Sequence, residues 1–100
     1  MSVYVIVSYD IADPKLFETY FPGVVPLLQK HGAEILVVDS EAKTLEGESR
    51  GVNVIVRFES EEAAMNWYND PDYVPVKKIR TDSTENGTLA LAKQFVPPSS

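Results

Sequence analysis

The chain has 100 residues, of which 44% are hydrophobic and 24% charged, a composition typical of one small globular domain and not of a disordered chain. Fifteen acidic side chains against nine basic ones give a net charge of −6, which argues against duplex DNA, RNA or an anionic membrane as main partner, because each attracts a basic surface. The sequence has no cysteine and one histidine, which excludes a thiolate nucleophile, an iron–sulfur cluster and a multi-histidine metal site within one chain.

The first third of the chain predicts a strand followed by an interrupted helix. Val3–Tyr9 is rich in β-branched and aromatic residues, as strands are. Asp13-Pro14 is a typical helix start, with aspartate as the N-cap and proline in the first turn. Apolar side chains then recur at helical spacing as far as Gly32, a common C-terminal stop. Pro22 lies inside this pattern, so we expect a kink or a break in the first third of the helix.

The middle of the chain predicts two strands. Ile35–Val38 is the second strand, and Lys43–Glu46 is expected to extend it beyond a turn or bulge. Simple alternation places Ile35 and Val37 on one face of the sheet and positions 36 and 38 on the other. Val52–Phe58 is the third strand: its apolar residues at even positions alternate with Asn53, Ile55 and Arg57, which is the period of a strand.

The last third predicts a second interrupted helix and a final strand. Ser60 caps the helix, and the two glutamates after it favour its positive dipole end. Asn69–Pro71 interrupts it, and a further helical piece begins at Asp72, where a proline in the first turn is tolerated. We expect a loop over Thr81–Gly87 and a last strand over Thr88–Phe95.

This order, β-α-β-β-α-β, is the ferredoxin-like plan of an α+β protein: one antiparallel sheet with both helices on one face. The other face should be polar if it met water. Instead, three strands are apolar on both faces, at Val3–Val7, Ile35–Val38 and Leu89–Ala92. An exposed apolar face of this size is unusual for a monomer, and packing against a second copy would bury it. We therefore expect a homodimer formed through the sheet face.

The sequence carries no targeting signal that we recognise. The N-terminus lacks a basic segment, and no run of about 20 apolar residues could cross a bilayer. We expect a cytoplasmic protein with no membrane partner. Residues 1–96 form the predicted single domain, and 97–100 a disordered tail.

An ordered series of short motifs resembles a known bacterial family, domain of unknown function 1330 (DUF1330), over essentially the whole chain. The residues that carry the resemblance are Tyr4, Asp10, Asp13-Pro14, Phe17, Tyr20, Pro26, His31-Gly32, Leu45-Glu46-Gly47, Arg50, Phe58-Glu59-Ser60, Glu62-Ala63-Ala64, Trp67-Tyr68, Asp70-Pro71-Asp72-Tyr73 and Arg80. The resemblance implies a dimeric α+β barrel. That superfamily also holds cofactor-free quinone-forming monooxygenases, lactone isomerases and haem-dependent chlorite-degrading enzymes. Pro22 and Pro75 depart from the usual pattern, at the edge of any pocket beside the helices.

Three residues are candidate catalytic groups. His31 titrates nearest neutral pH and could act as a general base, or it could only interact with carbonyl groups at the end of its helix. Asp10 follows a strand and could also accept a proton, or its carboxylate could bond the backbone of the following turn. Arg50 could clamp a carboxylate or an enolate, or it could pair with Glu46 or Glu48 to hold its loop.

Three further residues are candidate ligand contacts. Arg80 could bind an anion, or it could interact with the dipole at the end of its helix. Tyr4 and Trp67 belong to a group of aromatic side chains that could line a cleft for a planar molecule, or simply fill the core. The sequence shows no Gly-rich phosphate loop, no nucleophilic serine elbow and no cluster with metal-ligand spacing, so we expect no cofactor and no metal.

These residues lead to two functional hypotheses for the expected dimer. The first is a cofactor-free monooxygenase or isomerase acting on a small anionic aromatic or lactone-like molecule. In it, Asp10 or His31 takes a proton and Arg50 stabilises the resulting anion, in a cleft between the sheet and the helices with Tyr4 and Trp67 nearby. The second is a non-catalytic dimer that binds a small ligand or serves as a scaffold.

Overall fold

The computed structural model describes residues 1–98. Within them, the elements in chain order are β1 (Val3–Ile11), α1 (Pro14–Phe17), α2 (Tyr20–Lys30), β2 (Glu34–Asp39), β3 (Val52–Phe58), α3 (Glu61–Tyr68), α4 (Tyr73–Ser83) and β4 (Thr84–Lys93). The strands form one antiparallel sheet in the order β2-β3-β1-β4. The predicted ferredoxin-like α+β fold is confirmed, with each predicted helix realised as two consecutive helices.

The core lies between the helices and one face of the two central strands. Alternate residues of β1 and β3 are buried there and pack against apolar side chains of the helices, among them Phe17, Val24, Leu28, Trp67 and Tyr73. Side-chain caps fix where two helices begin, as predicted. The Asp13 carboxylate accepts a hydrogen bond from the Leu16 N–H at 3.1 Å, and the Ser60 hydroxyl accepts one from the Ala63 N–H at 3.1 Å.

The first helical region is interrupted, as the sequence predicts, but not at its proline. The break falls at Glu18 and Thr19, between α1 and α2. Pro22 lies in the first turn of α2, where no intrahelical hydrogen bond needs its missing N–H. Pro75 is likewise in the first turn of α4, as predicted.

Two predictions about connections are wrong. Lys43–Glu46 is irregular and extends no strand, because β2 ends at Asp39 and β3 begins only at Val52. Thr81–Gly87 is not a loop: α4 continues to Ser83 and β4 starts at Thr84. The hydroxyls of these two residues each donate to a carbonyl of the preceding turn at 2.6 Å, which satisfies the helix end where the chain turns into the strand.

A β-bulge in β2 changes which side chains share a face. Ile35 pairs with Val56 and Val38 with Val54, whereas Val37 pairs with Ile55, so Leu36 is the extra residue. Ile35 and Val38 therefore lie on the helix side of the sheet, and Leu36 and Val37 on the other side. The simple alternation predicted for this strand is wrong because the bulge adds one residue.

The face of the sheet away from the helices is apolar along its middle, as predicted. A row of neighbouring side chains crosses all four strands there: Ala90, Ile6, Ile55 and Val37. Ile6 is 44% exposed and Leu36 45% exposed. In the neighbouring row, on β3 and β2, Arg57 forms an ion pair with Glu34 at 3.6 Å. Along its thinnest axis the chain measures 16 Å, one sheet and one helix layer.

After β4 the chain is irregular as far as residue 98. Pro97 and Pro98 follow β4 without regular structure, and Ser99 and Ser100 of the predicted tail lie outside the described residues. Among residues 1–98, no helix combines the length and the apolar composition that crossing a membrane requires.

Candidate functional site

A cavity lies between the helix-facing side of the sheet and α2. Its walls are Val5, Val7, Tyr9, Val54, Val56 and Leu89 from the sheet, Phe21, Val24 and Leu28 from α2, Ile35 and Val38 from β2, and Tyr20, Trp67 and Arg80. The centre of a water molecule can occupy about 30 Å³ of it, which is enough for about two waters. This is the position in which the sequence predicts a ligand cleft.

Three buried polar atoms at this cavity have no hydrogen-bond partner among residues 1–98: the Tyr9 hydroxyl, the Trp67 indole N–H and the Arg80 Nε–H. The three side chains, called here the donor cluster, are 1%, 3% and 8% exposed. A buried donor without a partner costs about 1–3 kcal/mol. Three unpaired donors at one cavity therefore favour the binding of a ligand that accepts hydrogen bonds from them.

Arg80 is a buried cation without a counter-ion. No carboxylate of residues 1–98 forms an ion pair with it. The residues beside its guanidinium are instead the tyrosines Tyr9, Tyr20 and Tyr73, and the hydroxyls of Tyr20 and Tyr73 are hydrogen-bonded to each other at 2.8 Å. A buried charge is ordinarily paired. The site therefore has a positive charge that a bound anion would neutralise.

Tyr9 and Tyr20 are neutral at physiological pH. Burial raises the pKa of Tyr9 to about 12, although the positive charge of Arg80 opposes the shift. Burial also raises the pKa of Tyr20, and the neighbouring Tyr73 adds to it. Neither hydroxyl can therefore take a proton near neutral pH. Around this cavity, the described residues offer proton donors and a cation but no carboxylate or imidazole, an arrangement that suits an anion.

Asp10 and Arg50 lie together, but outside this cavity. The Asp10 carboxylate accepts hydrogen bonds from the Gly51 N–H at 2.8 Å and from the Asn86 side chain at 3.2 Å, and Arg50 Nη1 lies 3.6 Å from it. The Gly51 bond is the main cause that lowers the pKa of Asp10, with Asn86 next. The partner of Arg50 is thus Asp10 and neither Glu46 nor Glu48. The backbone of the turn after β1 bonds elsewhere, to the Ser83 carbonyl.

His31 joins the end of α2 to the turn between α3 and α4. Its Nε2 lies 2.8 Å from the Asp70 carboxylate, which also accepts from Lys30 at 3.0 Å and from the Asp72 N–H at 2.9 Å. The hydrogen bond from His31 is the main cause that lowers the pKa of Asp70 well below its usual range. The predicted interaction of the His31 side chain with carbonyl groups is replaced by this contact with a carboxylate.

Tyr4 lies on the opposite face of the sheet from Trp67, because β1 alternates and Val3, Val5 and Val7 face the helices. The six predicted residues therefore do not share one cleft. Trp67 and Arg80 line the cavity, Asp10 pairs with Arg50, and His31 and Tyr4 stand apart.

The tyrosines around Arg80 are not among the six residues that the sequence predicts for a site. Alternation along β1 places Tyr9 on the same face as three buried valines. Tyr20 and Tyr73 belong to the aromatic group that the sequence assigns either to a cleft or to the core, without a link to Arg80. Their hydroxyls converge on Arg80 only in three dimensions. Among residues 1–98, no three His, Cys, Asp or Glu side chains are grouped so that they could hold a metal ion.

The family model described as a domain of unknown function, DUF1330, matches residues 2–94. No curated protein shows significant sequence similarity to the chain.

Solved structures share the fold at low sequence identity. A protein of unknown function from Rhodopseudomonas palustris has a TM-score of 0.82 at 16% identity, over 96% of this chain and 84% of its own. A dimeric protein of unknown function with a ferredoxin-like fold, from Bacteroides fragilis, has a TM-score of 0.64 at 15% identity, over 93% and 96%. The cofactor-independent oxygenase SnoaB from Streptomyces nogalater has a TM-score of 0.64 at 14% identity, over 96% and 97%.

The Tyr9 hydroxyl is unpaired and the Tyr20 hydroxyl is hydrogen-bonded, so we expect their removal to affect stability differently. Tyr9→Phe removes an unpaired hydroxyl and should leave the free energy of unfolding unchanged or slightly higher. Tyr20→Phe leaves the Tyr73 hydroxyl without its 2.8 Å partner, and should cost about 1 kcal/mol, or roughly 4–8 °C in melting temperature. Thermal unfolding of both variants without ligand tests this. Equal destabilisation by the two substitutions would show that the Tyr9 hydroxyl is hydrogen-bonded in the folded protein.

The lowered pKa of Asp70 predicts a loss of stability in acid. Because its pKa is lower in the folded state, its ionised form stabilises the fold above its ordinary pKa of about 3.9, and this contribution is lost as the pH falls from there towards the lowered value. We expect Asp70→Asn to melt below the wild type at pH 7 and to show a flatter decline below about pH 4. Asp72→Asn, at an exposed neighbour, is the control. A wild-type pH profile in Asp70→Asn would contradict the role of the contact.

Proposed function

The chain belongs to the DUF1330 family, and from its donor cluster we propose that it is a homodimer whose protomers each bind a small organic anion between the sheet and α2. The observation that supports this most directly is Arg80, a buried cation with an unpaired Nε–H and no carboxylate partner within residues 1–98. Arginine binds planar anions through parallel hydrogen bonds. The Tyr9 hydroxyl and the Trp67 N–H add two donors at the same cavity.

The shape and lining of the cavity support an organic ion over an inorganic one. Apart from the donor cluster and Tyr20, the walls are aliphatic or aromatic carbon. A dianion such as phosphate would lose more hydration there than one guanidinium and two neutral donors can replace. A carboxylate, phenolate or enolate carries one negative charge and an apolar body, which suits these walls.

A second copy is the proposed partner for the outer face of the sheet. The chain exposes 6547 Å², whereas a monomer of 11.1 kDa is expected to expose about 5,650 Å². The uncovered apolar row along Ile6 and Ile55 contributes to this exposed area, and an apolar surface of this kind is typical of an interface. The Bacteroides fragilis protein of the same fold is dimeric, which supports the same assembly here.

A cofactor-free monooxygenase or isomerase is the second candidate, favoured by the shared fold with the oxygenase SnoaB. The donor cluster would stabilise the negative charge of an enolate or phenolate. Since the described groups at the cavity are proton donors, a substrate would have to arrive ionised or be acidic enough to ionise on binding. The catalytic roles of Asp10, His31 and Arg50 stay predictions, and their positions outside the cavity make them the less favoured site.

Ligand binding is tested with a panel of small aromatic acids, lactones and quinols in thermal unfolding. A ligand at 100 times its Kd adds about 2.7 kcal/mol, so we expect a rise of about 10 °C or more for compounds that are anionic. Tyr9→Phe and Arg80→Lys should each weaken binding about tenfold or more, because a hydrogen bond to a charged group is lost.

Arg50→Ala is the matched control, because it removes an arginine that is half-exposed and outside the cavity. A shift that disappears in Arg50→Ala and persists in Tyr9→Phe would move the site to Asp10 and Arg50. No shift with any anion would refute the binding proposal. Compounds that bind are then incubated in air with an oxygen electrode, and oxygen uptake that Tyr9→Phe reduces would favour the oxygenase.

The dimer is tested by light scattering. We expect twice the protomer mass of 11.1 kDa at micromolar concentration. Ile6→Glu places a charge in the apolar row and should give the protomer mass, whereas Val74→Glu, at a 59% exposed position on α4, should leave the mass unchanged. Wild-type protein at the protomer mass would refute the dimer.

A further inference from the structure

The cavity is longer than the donor cluster requires. From Tyr9 on the central strand β1 it continues below Val24 and Leu28 of α2 to Ile35 and Val38 on the edge strand β2. Two strand spacings, or about 10 Å, separate β1 from β2. We call this part of the cavity, lined by apolar side chains, the slot.

The slot is open at its β2 end. Ile35 is 40% exposed and Val38 51% exposed, although both line the cavity on the helix side of the sheet. The bulge at Leu36 produces this arrangement, because without the extra residue Ile35 and Val38 would face opposite sides. Bulges often redirect side chains beside binding sites. Here the bulge gives the opening two aliphatic walls.

The donor cluster is at the other, buried end. Tyr9, Trp67 and Arg80 are each more than nine-tenths buried and carry the unpaired donors. One cavity thus joins a charged, closed end to an apolar, open end. The centre of a water molecule can occupy only about 30 Å³ of this cavity, so its walls are close together and a group inside the slot must be slim.

We propose that the ligand is an amphiphilic monocarboxylate: its carboxylate binds the donor cluster, and its unbranched apolar chain lies in the slot and reaches solvent between Ile35 and Val38. This inference rests on the proposed anion binding. A carboxylate has the planar pair of oxygens that matches a guanidinium. A polar chain would lose its hydration in the slot without gaining hydrogen bonds, which excludes sugar acids and polyamino acids.

The test is a chain-length series of acetate, butyrate, hexanoate and octanoate, titrated by calorimetry and by the fluorescence of Trp67, the one tryptophan of the chain. Affinity should rise about fourfold per methylene while the chain lies in the slot, and level off once it passes Val38. A chain branched next to the carboxylate, as in 2-ethylhexanoate, should bind less tightly than octanoate. Octanol, with the chain and no charge, should also bind less tightly.

Two matched variants locate the chain. Val38→Asp places a charge at the opening and should weaken octanoate about tenfold or more while leaving butyrate unchanged, because the shorter chain does not reach it. Val74→Asp makes the same substitution at an exposed position on α4, away from the residues that line the cavity, and should change neither.

The outcomes separate this inference from the proposed function. Carboxylates that bind with no gain from chain length, and with no effect of Val38→Asp, would refute the slot and leave the anion site intact. Binding that rises with chain length but is unchanged in Tyr9→Phe and Arg80→Lys would refute the anion site. Absence of binding by the whole series would refute both.

Discussion

The guanidinium of Arg80 is the constraint on which the rest of the site depends. Arg80 is a buried residue of α4. Without a carboxylate partner among residues 1–98, its guanidinium needs nearby groups that lower the cost of burying charge. Three tyrosines lie beside it, and they supply hydroxyl groups without supplying a compensating charge. Because burial keeps the Tyr9 hydroxyl protonated, the protein holds a net positive cavity in its core. Such a cavity is costly when empty and is stabilised by an anion.

Both faces of the sheet carry apolar side chains, but the helices cover only one of them. On the helix side, valines of β1 and β3 are covered and the edge strand β2 is not, which leaves the slot. On the outer side, the apolar row through Ile6 is left uncovered. A second copy on the outer face would remove the larger exposed area and leave the helix side unobstructed. Assembly and ligand binding are therefore compatible in the same thin, two-layer protomer.

The sequence predicts the fold well because periodicity and caps are local properties. The alternation of Val52–Phe58 and the caps at Asp13 and Ser60 are found as predicted. Features of single positions are not predicted where they depend on contacts between residues that are distant in the sequence. The bulge at Leu36 depends on the pairing of β2 with β3. The polar composition of Thr81–Gly87 predicts a loop, but two of its hydroxyls donate to carbonyls of α4 at the junction between helix and strand. The site depends on still longer-range contacts.

The contacts of the titratable side chains could not be predicted from the sequence either, and they determine which groups could act as a base. Asp10 is held by the Gly51 N–H, Asn86 and Arg50, and Asp70 by His31 and Lys30. Each carboxylate joins elements that are distant in the chain, and the same bonds lower its pKa and make it a weaker base. The predicted bases Asp10 and His31 are thus engaged in contacts that hold the fold. The unsatisfied groups at the cavity are an arginine, an indole N–H and a protonated phenol, none of which is a base near neutral pH. A reaction in this cavity must therefore be driven by stabilising the charge of an anion, which is present when the ligand arrives or forms as an acidic ligand binds.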